Sequence, residues 1–101
     1  MLNPSDDNDT KLSFVVIGSG NVGTYLTREL YSAGIQPVKI INSTLSKAKS
    51  LAKETNCNNY SSELYIEYDP DFILVTVNDD SLPRVLGEIH PGNIPVFHSS
   101  G

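Results

Sequence analysis

Short runs of β-branched and apolar residues alternate along this chain with apolar residues spaced three and four apart. Residues 12–17, Leu-Ser-Phe-Val-Val-Ile, are apolar at five of six positions and are closed by Gly18, which predicts a strand buried on both faces. Val22, Leu26, Leu30 and Ala33 then recur at helical spacing, with Gly34 placed to end the helix. Residues 37–41 predict a second strand. Thr44 is a candidate cap for the next helix, with Leu45, Ala48, Leu51 and Ala52 on its buried face. Residues 57–60 predict a short edge strand, and Ser61 or Ser62 a cap for a brief helix carrying Leu64 and Tyr68. Asp69-Pro70-Asp71 is turn chemistry. Residues 72–77 are the most strand-like segment. Leu82, Val85, Leu86 and Ile89 form a helical stripe that tolerates Pro83 in its first turn; Pro91-Gly92 ends it, and residues 95–98 predict a last short strand.

Buried strands alternating with amphipathic helices predict an α/β fold, a doubly wound parallel sheet of Rossmann-like type. The expected order of its five strands is 3-2-1-4-5, with a ligand crevice between the first and fourth. Residues 1–10 carry Asp6, Asp7 and Asp9 and read as a solvated, disordered tail, leaving 11–101 as one domain.

Composition narrows the function. With 101 residues, 39% of them hydrophobic, the chain can fill one core but not two. A net charge of −5 argues against a nucleic-acid partner, since phosphate backbones call for a basic face. No apolar run approaches the length of a membrane span, and the polar, acidic start resembles no signal or transit peptide. The single cysteine, Cys57, cannot form an internal disulfide, which fits a cytoplasmic location, and no His/Cys cluster has metal-binding spacing.

The candidate chemistry starts at Gly18-Ser19-Gly20-Asn21-Val22-Gly23, which follows a strand and opens a helix. In this pattern the first glycine permits the tight turn. The second lets a pyrophosphate approach the backbone, and the third lets helix and strand pack closely. The N–H groups and dipole of the helix start then favour an anion. An NAD-selective site places a carboxylate at the end of the second strand, to accept from the ribose hydroxyls. Here that position reads Asn42-Ser43-Thr44, with Lys47 one turn on. Donors and a cation suit a 2′-phosphate and favour NADP over NAD; equally, Ser43 and Thr44 can cap the helix while Lys47 sits in solvent.

Val77-Asn78-Asp79-Asp80-Ser81 leaves the fourth strand at the edge where such sheets bind ligands. Asn78 is a candidate contact to the nicotinamide ribose or the substrate. Asp79 and Asp80 suit the cap and first turn of the following helix. His98-Ser99-Ser100-Gly101 emerges from the fifth strand at the same edge, where its hydroxyls could meet a carboxylate or the nicotinamide amide. His98 reads as well as a partly buried strand histidine.

Four segments together resemble one family: Phe14 through Leu26, Ile41 through Ala48, Val75 through Leu82, and Val96 through Gly101. They are similar to the Rossmann-like NADP oxidoreductases related to pyrroline-carboxylate reductase, deazaflavin-dependent NADP reductase and the β-hydroxyacid dehydrogenases. The nearest resemblance is to a bacterial subgroup in which an all-helical domain follows. It covers residues 12–101; the Asn-Asp-Asp and His-Ser-Ser-Gly elements are its more specific parts. It implies that Gly18, Gly20, Asn21, Val22 and Gly23 form the pyrophosphate loop. It also implies that Asn42, Ser43 and Thr44 meet the 2′-phosphate, and that Asn78, Asp79, Ser99, Ser100 and Gly101 face the nicotinamide. In that family a C-terminal helical domain closes the substrate pocket, usually makes the dimer and carries the proton donor. The expectation is therefore the N-terminal, NADP-binding part of a longer oxidoreductase that acts on a small C=O or C=N substrate. The chain alone is expected to have no useful turnover. A non-catalytic dinucleotide-sensing module is the competing class.

Overall fold

A computed structural model describes residues 12–18, 20–67 and 69–99. The expected tail, together with Ser19, Tyr68, Ser100 and Gly101, lies outside the described residues. The elements in chain order are β1 (Ser13–Ile17), α1 (Asn21–Ser32), β2 (Gln36–Ile41), α2 (Leu45–Glu54), β3 (Tyr60–Ser61), β4 (Phe72–Val75), α3 (Leu82–Ile89) and β5 (Val96–His98). The five strands form one sheet in the order β3-β2-β1-β4-β5, and every neighbouring pair is parallel. This is the expected α/β Rossmann-like architecture.

The central strands lack a polar face because both of their faces are covered. Phe14, Val16, Ile40 and Leu74 pack with Ala48, Leu51 and Ala52 of α2 and with Leu26 and Leu30 of α1. Val15, Ile17, Ile41, Ile73 and Val75 face the other way, against Leu82, Val85 and Ile89 of α3 and against Leu64 and Ile66. Gly34, at φ 91°, turns the chain from α1 into β2. Pro37 pairs with Phe14, and the register then slips by one residue so that Val15 opposes Lys39. Lys39 is thereby directed beneath the connection that follows β3 and is only 3% exposed.

That connection differs from the expected brief helix. Residues 62–67 run without helix, because Leu64 and Ile66 alternate onto the second core cluster at a period of two. Lys39 Nζ donates to the Tyr65 carbonyl and lies 2.9 Å from Glu67 Oε1, which pins the segment across the sheet. The Ser61 hydroxyl accepts from the Glu63 N–H at 2.9 Å, a local turn in place of a helix cap. Element limits also move. The edge strand is Tyr60–Ser61 rather than 57–60, because the Cys57 N–H closes the end of α2 on the Ala52 carbonyl. β4 ends at Val75 rather than residue 77. The buried face of α2 begins at Ala48, and Leu45 is 49% exposed.

Candidate functional site

At the carboxyl end of β1 the chain turns through Gly18 at φ 87°, a left-handed conformation that side chains rarely adopt. The Gly18 N–H donates to the Ile41 carbonyl at 2.7 Å, tying the turn to β2. Its carbonyl accepts from the Thr76 hydroxyl, tying it to the end of β4. Just past the end of β4, Thr76 keeps its N–H on the Ile17 carbonyl at 2.9 Å while its side chain binds the turn.

The other two glycines occupy opposite environments. A methyl group at Gly23 would overlap the Gly18 carbonyl oxygen and stand 2.5 Å from Thr76 Oγ1. The absent Cβ there lets α1 close on the turn. Around Gly20, by contrast, an added Cβ would find nothing within 4 Å. Gly20 is the N-cap residue of α1, which has no side-chain cap bond and no acidic residue in its first turn. Among the described residues, no side-chain cap bond and no first-turn acid face the backbone donors and the positive end of the helix dipole at this point. Gly20 borders a crevice of about 370 Å³ between the ends of β1 and β4, and also a groove of about 470 Å³ between α1 and α2.

The crevice brings together Gly18, Gly20, Asn42, Ser43, Val77 and Asn78 from among the residues expected to bind a dinucleotide. Asn21 and Lys47 line the α1–α2 groove instead. Val22, Thr44, Asp79 and Ser99 are on neither wall, Gly23 acts from beneath the turn, and Ser19 and Ser100 lie outside the described residues. Asn42 is only 8% exposed, and its Oδ1 accepts from the Thr44 N–H at 2.7 Å. It is therefore Asn42, not the Thr44 hydroxyl, that caps the turn into α2. In the same way Asn78 Oδ1 accepts from the Ser81 N–H at 2.9 Å, fixing the turn ahead of the helix that Asp79 or Asp80 was expected to cap. Neither acid lies in the first turn of α3, which starts at Leu82. Asp79 Oδ1 lies 3.7 Å from His98 Nε2, which is also 3.3 Å from the Val77 carbonyl. His98 is thus anchored beside the crevice rather than directed into it.

Ser62, Leu64, Thr76, Ser81, Arg84 and Val85 complete the crevice wall. Ser81, Arg84 and Val85 stand at i, i+3 and i+4, a single helical face, so that group was legible once the start of α3 was known. Ser62 and Leu64 could not be placed while their segment was read as a helix. Arg84 is the only charged side chain on this wall, and among the described residues the wall carries no carboxylate, imidazole or thiol. In the neighbouring groove Arg28 forks onto Glu54 at 2.8–3.1 Å, and that hydrogen bond pushes the guanidinium still further up. Lys47 makes no ion pair among the described residues.

Residues 5–70 match the family described as Shikimate / quinate 5-dehydrogenase. The chain belongs to that family. Its fold is that of a Bacteroides fragilis protein described as an NADP oxidoreductase, with a TM-score of 0.79 and 24% identity over 89% of this chain and 36% of that one. It is also that of the lactate dehydrogenase of Eimeria maxima solved with NADH and oxamate, with a TM-score of 0.60 and 13% identity over 92% and 37% of the two chains. Over 40 residues the chain is 45% identical to the glutamyl-tRNA reductase of Geobacillus kaustophilus and 42% identical to that of Geobacillus thermodenitrificans. Each match spans 40% of this chain and 9% of the reductase. This member of the shikimate/quinate dehydrogenase family is a dinucleotide-binding domain of the dehydrogenase-type oxidoreductases, and it spans little more than a third of the structures it resembles.

Proposed function

We propose that the chain holds NADP(H) for an oxidoreductase acting on a small C=O or C=N substrate, as in the enzymes related to pyrroline-carboxylate reductase. The observation that carries this reading is the contrast at the glycine turn. The chain packs tightly against Gly23 and leaves Gly20 bare, at the uncapped start of a helix, where a pyrophosphate needs both the room and the donors. When bound, the nicotinamide supplies or takes the hydride. The chain's own part is to bind and to orient. Gly20 and the N–H groups that open α1 hold the pyrophosphate. Ser43 and the backbone around Thr44 meet the adenosine ribose, and Lys47 reaches its 2′-phosphate from the adjoining groove. Val77 and Asn78 stand at the nicotinamide end, where the Asn78 carboxamide N–H groups remain as donors. Asp79 and Ser99 follow at the same sheet edge.

The crevice wall has no acid or base among the described residues. This supports a division of labour in which the proton donor and the far wall of the substrate pocket belong to another part of the protein. The description of the Bacteroides relative as an NADP oxidoreductase fits this reading. The same wall also suits a dinucleotide sensor, for which turnover would be absent even with the rest of the protein in place.

Titration with NADPH and NADH tests the proposal. Each charge-assisted bond to the 2′-phosphate contributes about 1.5–3 kcal/mol before ordering costs. One or two such bonds predict a preference for NADPH of about ten-fold to a few hundred-fold. Asn42→Asp keeps an acceptor for the Thr44 N–H while adding a carboxylate at the ribose, and should reduce or reverse that preference. Equal affinities in the unmodified chain would contradict the NADP assignment.

A further inference from the structure

Lys47, Lys49 and Lys53 place three of the chain's seven cations on α2. The other cations among the described residues are engaged: Arg28 with Glu54, Lys39 with Glu67 and Arg84 with Glu88. Lys49 and Lys53 make no ion pair among the described residues and have no part in the reading above. Four positions apart, they share one face of the helix. With Asn58 and Tyr60 they border a concavity of about 310 Å³ backed by buried Ala52 and Cys57. Tyr60 opens β3, which is an edge of the sheet. The N–H groups of Ile40 and Asn42 donate to the carbonyls of Asn59 and Ser61, both at 3.0 Å. Backbone groups alternate sides along a strand, so the N–H and carbonyl of Tyr60 point away from β2, off the open edge. Such an edge is a template for an extended segment.

We infer that this corner is a docking surface for an acidic, extended segment of a partner protein, with its backbone on the β3 edge and its carboxylates on Lys49 and Lys53. Spacing and charge carry the inference. α2 joins two parallel strands, so its axis runs back along them. Four helical residues rise about 6 Å. Two strand residues rise about 6.6 Å and return to the same face. Carboxylates at alternate positions of the segment therefore meet the two lysines in step. A nucleic acid would gain the lysines but not the backbone edge, and it would face a chain of net charge −5. The surface does not depend on the dinucleotide reading, whose cation, Lys47, lines the α1–α2 groove instead.

The test is NMR titration of the whole, nitrogen-15-labelled chain at low salt with two capped eight-residue peptides. In one, glutamate and threonine alternate; in the other, the same residues come in adjacent pairs, so the charge is equal and the spacing is not. The alternating peptide should shift amides within residues 49–60, that of Tyr60 among them. Lys49→Ala and Lys53→Ala should each weaken it by roughly two- to five-fold, the range of an exposed ion pair. Both lysines are exposed on a helix, where alanine is well tolerated, and the spectra show whether each variant is folded. Lys49→Arg should keep the binding. The paired peptide should bind more weakly by a similar factor. Equal binding of the two peptides would overturn the inference, as would an unmoved Tyr60 amide or full binding by the alanine variants. An eight-nucleotide oligothymidylate that binds as tightly as the alternating peptide would also overturn it, in favour of a general anion patch. No shift with the alternating peptide would overturn it too, and leave the lysines as guards of an open edge.

Discussion

Gly20 and Gly23 stand three positions apart in one motif and are glycine for different reasons. At Gly23 the reason lies inside the chain, because a methyl group would overlap the Gly18 carbonyl and crowd Thr76 Oγ1. Gly23→Ala should therefore destabilise the fold by about 1–3 kcal/mol, the usual cost of overpacking a site that cannot relax. Equilibrium urea unfolding measures this directly, and a change within about 0.5 kcal/mol, typical of a neutral surface substitution, would contradict it. The glycine spacing was legible in the sequence because few residue types can serve there. Thr76 was not, since a threonine at the end of an apolar run reads as one more strand residue. Asn42 and Asn78 were read as ligand donors, but a carboxamide three or four residues before a helix start can also fix the turn into that helix, and both do, each accepting from the N–H of the residue just before it. Cys57 is buried, and burial pushes its thiol up, which suits a packing residue with no nucleophilic role.

Among the elements, the segment from residue 62 to residue 67 departs furthest from expectation. Two alternating apolar positions, Leu64 and Ile66, are too few to establish a period of two in the sequence. A lone Lys39 among apolar neighbours gives no hint that its partners lie 26 and 28 residues away. The Lys39 hydrogen bond holds the Glu67 carboxyl below its ordinary value of 4.5. A carboxylate whose pKa is lower in the folded chain than in the unfolded one stabilises the fold above the unfolded value and loses that contribution as pH falls through the folded value. The stability advantage of the unmodified chain over Glu67→Gln should accordingly shrink from about pH 6 to about pH 3, the window in which a glutamate titrates. Denaturation of the two proteins across that window checks it. An advantage independent of pH would show that the Lys39–Glu67 contact does not fasten this segment. The strong elements were easier to read. β1, β2 and β4 are apolar on both faces because helices or packed chain cover both, and α1, α2 and α3 show their buried stripes at helical spacing.

At the scale of the molecule, a chain of net charge −5 presents an anion site only where backbone donors and a few cations are concentrated. On the proposed reading Gly20 joins the two concavities in which that occurs, the β1–β4 crevice with Arg84 and the α1–α2 groove with Lys47. The sheet order and the position of the crevice followed from the alternation of elements, since a parallel sheet with right-handed crossovers leaves few topologies open. The meeting of Ser62, Leu64 and Arg84 on the crevice wall did not, because it depends on residues from separate elements coming together in space. The central claim is that the space over Gly20 is kept for a pyrophosphate and not for packing. Gly20→Ala, compared with the unmodified chain by NADPH titration and thermal melting together, tests it most directly. Gly20 has φ −78° and an empty surround, so an alanine meets no clash in the fold. Stability should change by no more than about 1 kcal/mol, the scale of an N-cap preference. NADPH affinity should fall at least about ten-fold, or 1.4 kcal/mol. Undiminished NADPH binding by a Gly20→Ala protein of undiminished stability would contradict the account.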